Sequence, residues 1–214
     1  MVTEMVERTA ENTETSGRIG KMKRILCFGD SNTFGYDPRS YFGRRYPKSV
    51  RWTGRLEAKG WEVLNYGQNG MEIPTSEGDI SICEKIVKKE LPDAVIIMLG
   101  SNDLLQYPDM TAEQTALRME KFLSRLIENA RTACFLLVSP PPMQAGEWVS
   151  EQRLFTQSAR IGDCYQAVAE RLHIAFLNAG EWGIDLAFDG VHFLPSGHSA
   201  FADGIDAALT NLSQ

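Results

Sequence analysis

The sequence has few of the residues that build metal sites and disulfide frameworks. It contains three histidines and four cysteines with no C-x-x-C arrangement, the cysteines being Cys27, Cys83, Cys134 and Cys164. Zinc sites need three or four such ligands at characteristic spacings, so we expect no metal site. Widely spaced thiols are typical of reduced cysteines, so we expect a cytoplasmic protein.

Long apolar runs and an excess of positive charge are also missing. No run approaches the ~18 apolar residues of a membrane-spanning helix, and residues 1–17 lack the apolar core of a secretory signal. Asp and Glu outnumber Lys and Arg by 28 to 22, for a net charge of −6. We therefore expect neither a membrane span nor a nucleic-acid partner.

What the sequence does contain is an alternation of short apolar runs and amphipathic helical patterns. The apolar runs predict five strands, at 24–29, 61–66, 93–99, 135–138 and 174–177. Helical patterns lie at about 79–90 and begin at a Thr111–Gln114 capping box, near Ser150 and near Pro195. Buried strands that alternate with helices predict a parallel sheet covered on both faces, a three-layer α/β/α sandwich.

The first 22 of the 214 residues are polar and show no periodicity. We predict a disordered extension at 1–22 and a single folded domain at 23–214.

Glycines and polar residues follow the predicted strands where each strand ends. The stretches are 29–32 (GDSN), 65–70 (NYGQNG), 100–103 (GSND) and, before the last helix, 189–192 (DGVH). Each stretch alone is typical of a turn. Ligands bind at the carboxyl ends of the strands in parallel sheets, so the four stretches together favour a functional site.

Ser31 is the candidate nucleophile, because it follows a buried strand and would begin the next helix, where developing negative charge is stabilised. A serine hydroxyl needs a general base. His173 and His198 lie at a helix end and inside a helix, and we interpret both as structural. His192 follows Asp189 by three residues, so the carboxylate can hold one ring nitrogen while the other faces Ser31.

Acyl transfer also needs hydrogen-bond donors for the developing oxyanion. The candidates are the backbone N–H groups of Ser31 and Gly70 and the side-chain amide of Asn102. For Asp30 and Asp103, which flank these groups, we favour hydrogen bonding within the turns.

These stretches, in this order, resemble the blocks of the SGNH (GDSL-type) hydrolase family. Within that family ILCFGDSNTFGYDP at 25–38, RWTG at 51–54, LPDAVIIMLGSND at 91–103 and VSPPP at 138–142 resemble the arylesterase and acyltransferase branch. The resemblance implies a flavodoxin-like fold and short-chain or aryl esters as substrates. It also implies Ser31 as nucleophile, His192 as base, Asp189 as its partner, and Gly70 and Asn102 as oxyanion donors.

The sequence departs from that branch beside the nucleophile and after the second block. Asn32, Phe34 and Tyr36 stand where those relatives carry apolar or tryptophan residues, so we predict a pocket that is more polar or differently shaped, with Phe34 and Trp52 as walls. The segment 71–90 is short where those relatives carry a long insertion that contributes to ring-like oligomers. Homo-oligomer formation is therefore left open.

The main hypothesis is a cofactor-free carboxylic ester hydrolase that works through an acyl-enzyme on a small-molecule ester. A thioesterase or a carbohydrate deacetylase on the same triad is the first alternative. A non-catalytic nucleotide- or flavin-binding module is the second, and the lack of G-x-G-x-x-G and G-x-x-x-x-G-K-[ST] motifs argues against it.

Overall fold

The computed structural model describes residues 23–40, 42–130 and 132–212, and the predicted extension at 1–22 lies outside them. The strands are β1 (Arg24–Gly29), β2 (Glu62–Gly67), β3 (Ala94–Met98), β4 (Cys134–Ser139) and β5 (Ala175–Asn178). They form one parallel sheet in the order β2-β1-β3-β4-β5, which is the flavodoxin-like order. The predicted three-layer α/β/α fold is confirmed.

The central strands form because their apolar runs are buried on both faces of the sheet. All five residues of β3 are buried, as are the last five residues of β1. Their side chains alternate between the two faces, so Leu26 and Phe28 join one apolar core while Ile25 and Cys27 join the other.

Across the described residues, seven helices accompany the sheet. They are α1 (Ser31–Phe34), α2 (Trp52–Ala58), α3 (Glu77–Glu90), α4 (Ser101–Gln106), α5 (Ala112–Asn129), α6 (Gln152–Leu172) and α7 (Pro195–Leu212), and a short 3-10 turn follows β5 at Ala179–Glu181. Residues of α3, α5 and α6 pack in the first core, and residues of α2 and α7 pack in the second. Within the described ranges, no helix combines the length and apolar character needed to cross a bilayer.

The helix caps in the structure can be compared with those predicted from the sequence. The Thr111–Gln114 capping box is present at the start of α5, with both reciprocal hydrogen bonds. The prediction that Ser150 caps α6 is wrong, because the cap is Glu151 and its side chain makes no capping bond. Helix α2 was not predicted from the sequence, since it is one of the shorter helices and its cap residue, Arg51, also lacks a capping bond.

Parallel register brings the functional loops together. Gly29, the last residue of β1, lies opposite Gly67 of β2 and Met98 of β3. The chain therefore leaves all three strands at the same edge of the sheet, and the stretches 29–32, 65–70 and 100–103 begin there.

Candidate active site

Ser31 begins the short helix α1 directly after β1. The carboxylate of Asp30 caps this helix by accepting a 2.9 Å hydrogen bond from the backbone N–H of Asn32. Helix α1 lies so close to β2 that a Cβ at Gly67 would be 2.3 Å from the backbone nitrogen of Phe34. Glycine at position 67 thus lets the turn that carries Ser31 sit against the sheet.

A continuous hydrogen-bonded chain joins Ser31, His192 and Asp189. The Ser31 hydroxyl oxygen lies 2.9 Å from Nε2 of His192, and Nδ1 of His192 lies 2.8 Å from Oδ2 of Asp189. The other carboxylate oxygen of Asp189 accepts 2.9 Å hydrogen bonds from the backbone N–H groups of Val191 and His192. The structure therefore brings the three predicted triad residues into the geometry of a nucleophile, a base and an orienting carboxylate.

Asp189 is held in its ionised form. Burial alone would raise the pKa of this carboxyl, but the hydrogen bonds from the His192 ring and from the N–H groups of His192 and Val191 outweigh burial and lower the pKa below its ordinary value. A carboxylate in this position can stabilise the imidazolium that forms when His192 takes a proton.

Asn32 and Trp52, predicted as substrate contacts, are placed beneath the site instead. The side chain of Asn32 is buried, and its oxygen accepts from the N–H of Phe193 at 2.8 Å while its nitrogen donates to the carbonyl of Val191 at 3.1 Å. The Trp52 ring belongs to the second core and donates from Nε1 to the carbonyl of Asn32 at 3.2 Å. Because these contacts use both ends of the Asn32 amide, the residue clamps the loop that carries His192.

Two aromatic rings pack against the buried imidazole of His192. Tyr36, a predicted substrate contact, has its ring centroid 4.6 Å from that of His192. Trp148 meets the same imidazole edge-on at 4.9 Å and is 52% exposed. Phe34, the fourth predicted contact, is half-buried and lies under the guanidinium of Arg45.

The sequence patterns did not predict Trp148 as a residue of the site. It is brought to the site by the loop after β4, where its backbone N–H donates to the carbonyl of Asp189 at 3.1 Å. Its position in the chain could have indicated a contact with the site, because the loop that carries it follows the carboxyl end of β4.

The predicted oxyanion donors other than Ser31 lie at the start of α4 and in the loop after β2. Asn102, in the first turn of α4, donates one amide hydrogen to the carbonyl of Met71 at 3.1 Å, and its amide has a second hydrogen to give. Gly70 precedes Met71 and has φ +71°, a conformation that favours glycine. A Cβ at Gly70 would meet no protein atom within 4 Å, so the positive φ rather than crowding by neighbouring residues explains the glycine.

Two further carboxylates support the loops. Burial raises the pKa of Asp30 to about 6, against the lowering effects of the Asn32 N–H and of His192. Asp103 accepts from the N–H of Ile73 at 3.0 Å and pairs with Arg118 at 2.8 Å. Asp30 therefore bonds within its own turn, as predicted, whereas Asp103 joins α4 to Ile73 and to Arg118 of α5.

The other histidines lie outside the triad. His198 is buried, accepts from the N–H of Trp52 at 3.4 Å, and has its pKa lowered to about 3 by burial and by nearby arginines. His173 ends α6 in the left-handed conformation. In the part of the chain that the structure describes, no three His, Cys, Asp or Glu side chains group together as metal ligands.

Known proteins resemble this chain in sequence and structure. Residues 27–200 match the model of the GDSL-like Lipase/Acylhydrolase family. The native aryl esterase of M. smegmatis superimposes with a TM-score of 0.79 at 28% identity, covering 89% of this chain and 99% of that one. A carbohydrate acetylesterase family member from Sinorhizobium meliloti gives a TM-score of 0.76 at 25% identity, with coverages of 90% and 99%. No curated protein matches the chain.

Proposed function

The chain belongs to the GDSL-like lipase/acylhydrolase family and is a hydrolase of carboxylic esters, and we propose that it works through an acyl-enzyme on Ser31. The observation that carries this proposal is the chain of hydrogen bonds from the Ser31 hydroxyl through His192 to Asp189. It supplies a nucleophile, a base in reach of the nucleophile's proton, and a carboxylate that orients the base.

In the proposed reaction, the Ser31 oxygen attacks the ester carbonyl carbon while Nε2 of His192 takes the hydroxyl proton. The carbonyl oxygen becomes an oxyanion, which the N–H groups of Ser31 and Gly70 and the amide of Asn102 stabilise. The tetrahedral intermediate then breaks its bond to the alcohol oxygen, and His192 gives that oxygen its proton. Water, activated by His192, attacks the acyl-enzyme in the same way and releases the acid and Ser31.

We propose short-chain and aryl esters as the substrates. The faces of Tyr36 and Trp148 beside His192 offer aromatic contacts for an aryl leaving group. The structural neighbours described as an aryl esterase and as a carbohydrate acetylesterase support this range. We also propose a cytoplasmic location, supported by the four cysteines, all of which are free thiols.

The test is a comparison of Ser31→Ala with wild type on 4-nitrophenyl acetate. We expect a loss of about 10⁴-fold or more in kcat with an unchanged far-UV spectrum, because a missing nucleophile cannot be replaced by its partners. Ser124→Ala on α5, whose hydroxyl donates to the carbonyl of Glu120 one turn earlier in the same helix, is the matched control and should keep full activity.

Mass spectrometry after treatment with an organophosphate gives an independent readout. The wild-type protein should gain one adduct on the peptide that contains Ser31, and the Ser31→Ala protein should gain none there. More than a tenth of wild-type activity in the variant would remove Ser31 from the mechanism.

A further inference from the structure

Positive charge is concentrated in one segment close to the nucleophile. Residues 39–59 contain seven Lys and Arg against a single acidic residue, Glu57, in a chain whose net charge is −6. Within this segment Lys48 pairs with Glu57, Lys59 pairs with aspartates of α7, and Arg39 pairs with Asp37 just before the segment. The segment therefore holds more cations than its neighbouring carboxylates neutralise.

Two of these cations, Arg45 and Arg51, surround the turn that follows α1. The guanidinium of Arg45 lies 4.3 Å above the ring of Phe34, and its Nε donates to the Phe34 carbonyl at 2.6 Å. The stem of Arg51 packs on Gly35 so closely that a Cβ there would lie 2.3 Å from Cδ of Arg51. Both side chains are thus fixed by the backbone directly after the helix that carries Ser31.

Arg45 and Arg51 contact neighbouring residues of the same turn, Phe34 and Gly35. In the described residues neither makes an ion pair, and the Nε of Arg51 is buried without a hydrogen-bond partner. Burial and the charge of Arg51 both lower the pKa of Arg45. Like charges repel, and an anion bound beside this turn would be attracted by both side chains.

The location of this pair indicates which part of a substrate it would contact. Arg45 forms a backbone bridge with Tyr36, whose ring packs on His192. In the proposed reaction His192 protonates the leaving alcohol, so the alcohol part of the ester lies on the His192 side. Phe34 follows Ser31 by about one helical turn, ~5 Å, which is within reach of a substituent on that alcohol.

From this arrangement we infer that Arg45 and Arg51 form a subsite for an anionic group, a carboxylate or a phosphate, on the alcohol part of the ester. The inference rests on the proposed function, since it places the leaving group by the role of His192. Guanidinium groups suit this task because their planar forks bind carboxylate and phosphate with two hydrogen bonds.

The test uses two acetate esters that differ in one charge, 4-acetoxybenzoate and its neutral methyl ester. The measured quantity is the ratio of kcat/KM for the anionic ester to kcat/KM for the neutral ester, so the intrinsic reactivity of each ester cancels between variants. We expect Arg45→Gln and Arg51→Gln each to lower this ratio about tenfold, as is typical for a lost charge-assisted hydrogen bond. Added salt should lower the wild-type ratio.

Arg160→Gln is the matched control, because Arg160 pairs with Glu113 on the surface of α6 and its loss changes the net charge equally. The control should leave the ratio at its wild-type value. Arg51→Lys keeps the charge and the packed stem, and should retain part of the preference. A ratio unaffected by Arg45→Gln and Arg51→Gln, or lowered as much by the control, would overturn the subsite.

A binding measurement separates failure of the subsite from failure of the proposed function. In the Ser31→Ala background, calorimetry should show 4-hydroxybenzoate binding that weakens about tenfold on adding Arg45→Gln. If binding depends on Arg45 but the wild-type protein hydrolyses no ester, the proposed function is refuted and the subsite is retained. If the wild-type protein hydrolyses esters but binding does not depend on Arg45, the subsite alone is refuted. Phenyl phosphate and benzoate, compared as competitive inhibitors, distinguish phosphate from carboxylate as the preferred group.

Discussion

At the scale of the residue, Asn102 is the group whose contribution can be isolated most cleanly. Its side-chain amide donates one hydrogen to the Met71 carbonyl and has a second hydrogen, which we propose binds the oxyanion. We expect Asn102→Ala to lower kcat by about 10²–10³-fold with a much smaller change in KM, because the oxyanion is fully formed only in the tetrahedral intermediate.

Asn102→Asp sharpens this prediction. The carboxylate has a similar shape but would repel the oxyanion, so its kcat should be lower still. Steady-state kinetics on 4-nitrophenyl acetate measure both variants. A change confined to KM would mean that Asn102 binds substrate without acting on the transition state.

Asp30 should leave a signature in the pH dependence of stability. Its pKa is raised from 3.8 to about 6 in the folded protein, so the folded state binds its proton more tightly than the unfolded state does. This contribution to stability is fully present below pH ~4 and is lost as the pH rises to ~6, a change of about 3 kcal/mol. Asp30→Asn keeps an oxygen that can accept from Asn32 and removes this pH dependence.

Urea unfolding between pH 4 and pH 8 tests the effect. The variant should gain stability relative to wild type as the pH rises through this window. Asp163→Asn, at an exposed position on α6, is the control and should follow the wild-type profile. Parallel profiles for Asp30→Asn and wild type would show that the buried carboxyl does not titrate as proposed.

At the scale of the element, two glycines of one loop make a matched pair. Gly67 faces the backbone of α1, and a Cβ there would lie 2.3 Å from the Phe34 nitrogen, while a Cβ at Gly70 would meet nothing within 4 Å. Gly67→Ala must therefore displace the helix that carries Ser31, and a shift of about 1 Å can cost about 10²-fold in rate. Gly70→Ala carries only the strain of its positive φ, roughly 1–2 kcal/mol.

We expect Gly67→Ala to lose at least about 10²-fold in kcat/KM and to melt several degrees below Gly70→Ala. Thermal unfolding and ester hydrolysis, measured on both proteins, provide the comparison. Equal losses in the two variants would contradict the close packing of α1 on β2.

The elements that could be predicted from the sequence are those with strong local signals. Apolar runs located all five strands, and the signal was strongest for β1, β3 and β4, because strands buried on both faces carry few polar residues. Helix α2 was not predicted, because its start lacks a capping side chain and its seven residues are too few to show a clear periodicity. Tertiary contacts with α7 in the second core, which no local pattern reveals, hold it in place.

At the scale of the whole molecule, some site residues can be predicted from the rule that ligands bind at the carboxyl ends of parallel strands, and others cannot. The triad and the oxyanion donors were predicted because each follows a strand or precedes the last helix. The clamp by Asn32 could not be predicted, since it depends on a contact with Val191 across 159 positions of the chain. The sequence showed the polar character of Asn32 but not the direction in which its amide points.

The space around the site should select short acyl groups. Ser31 is only 6% exposed, and Tyr36 and Trp148 lie against its base. A cavity of about 400 Å³ lies along the chain after Gly70; its lining mixes the polar side chains of Gln68, Glu72 and Asp79 with the apolar ones of Met71, Ile73 and Ile82, and it includes no triad residue. An alkyl chain there would gain about 0.8 kcal/mol for each methylene it buries, while each polar group left without a partner costs about 1–3 kcal/mol.

We therefore expect kcat/KM to peak between acetyl and butyryl esters and to fall for longer chains. Nitrophenyl esters from acetate to palmitate measure this profile, and thioesters and acetylated sugars in the same panel compare the alternative substrate classes. Because the leaving group is constant along the nitrophenyl series, any change in kcat/KM along it reflects contacts of the acyl group. A maximum at eight carbons or more would require an apolar channel leading away from Ser31, and the protein would then act as a lipase.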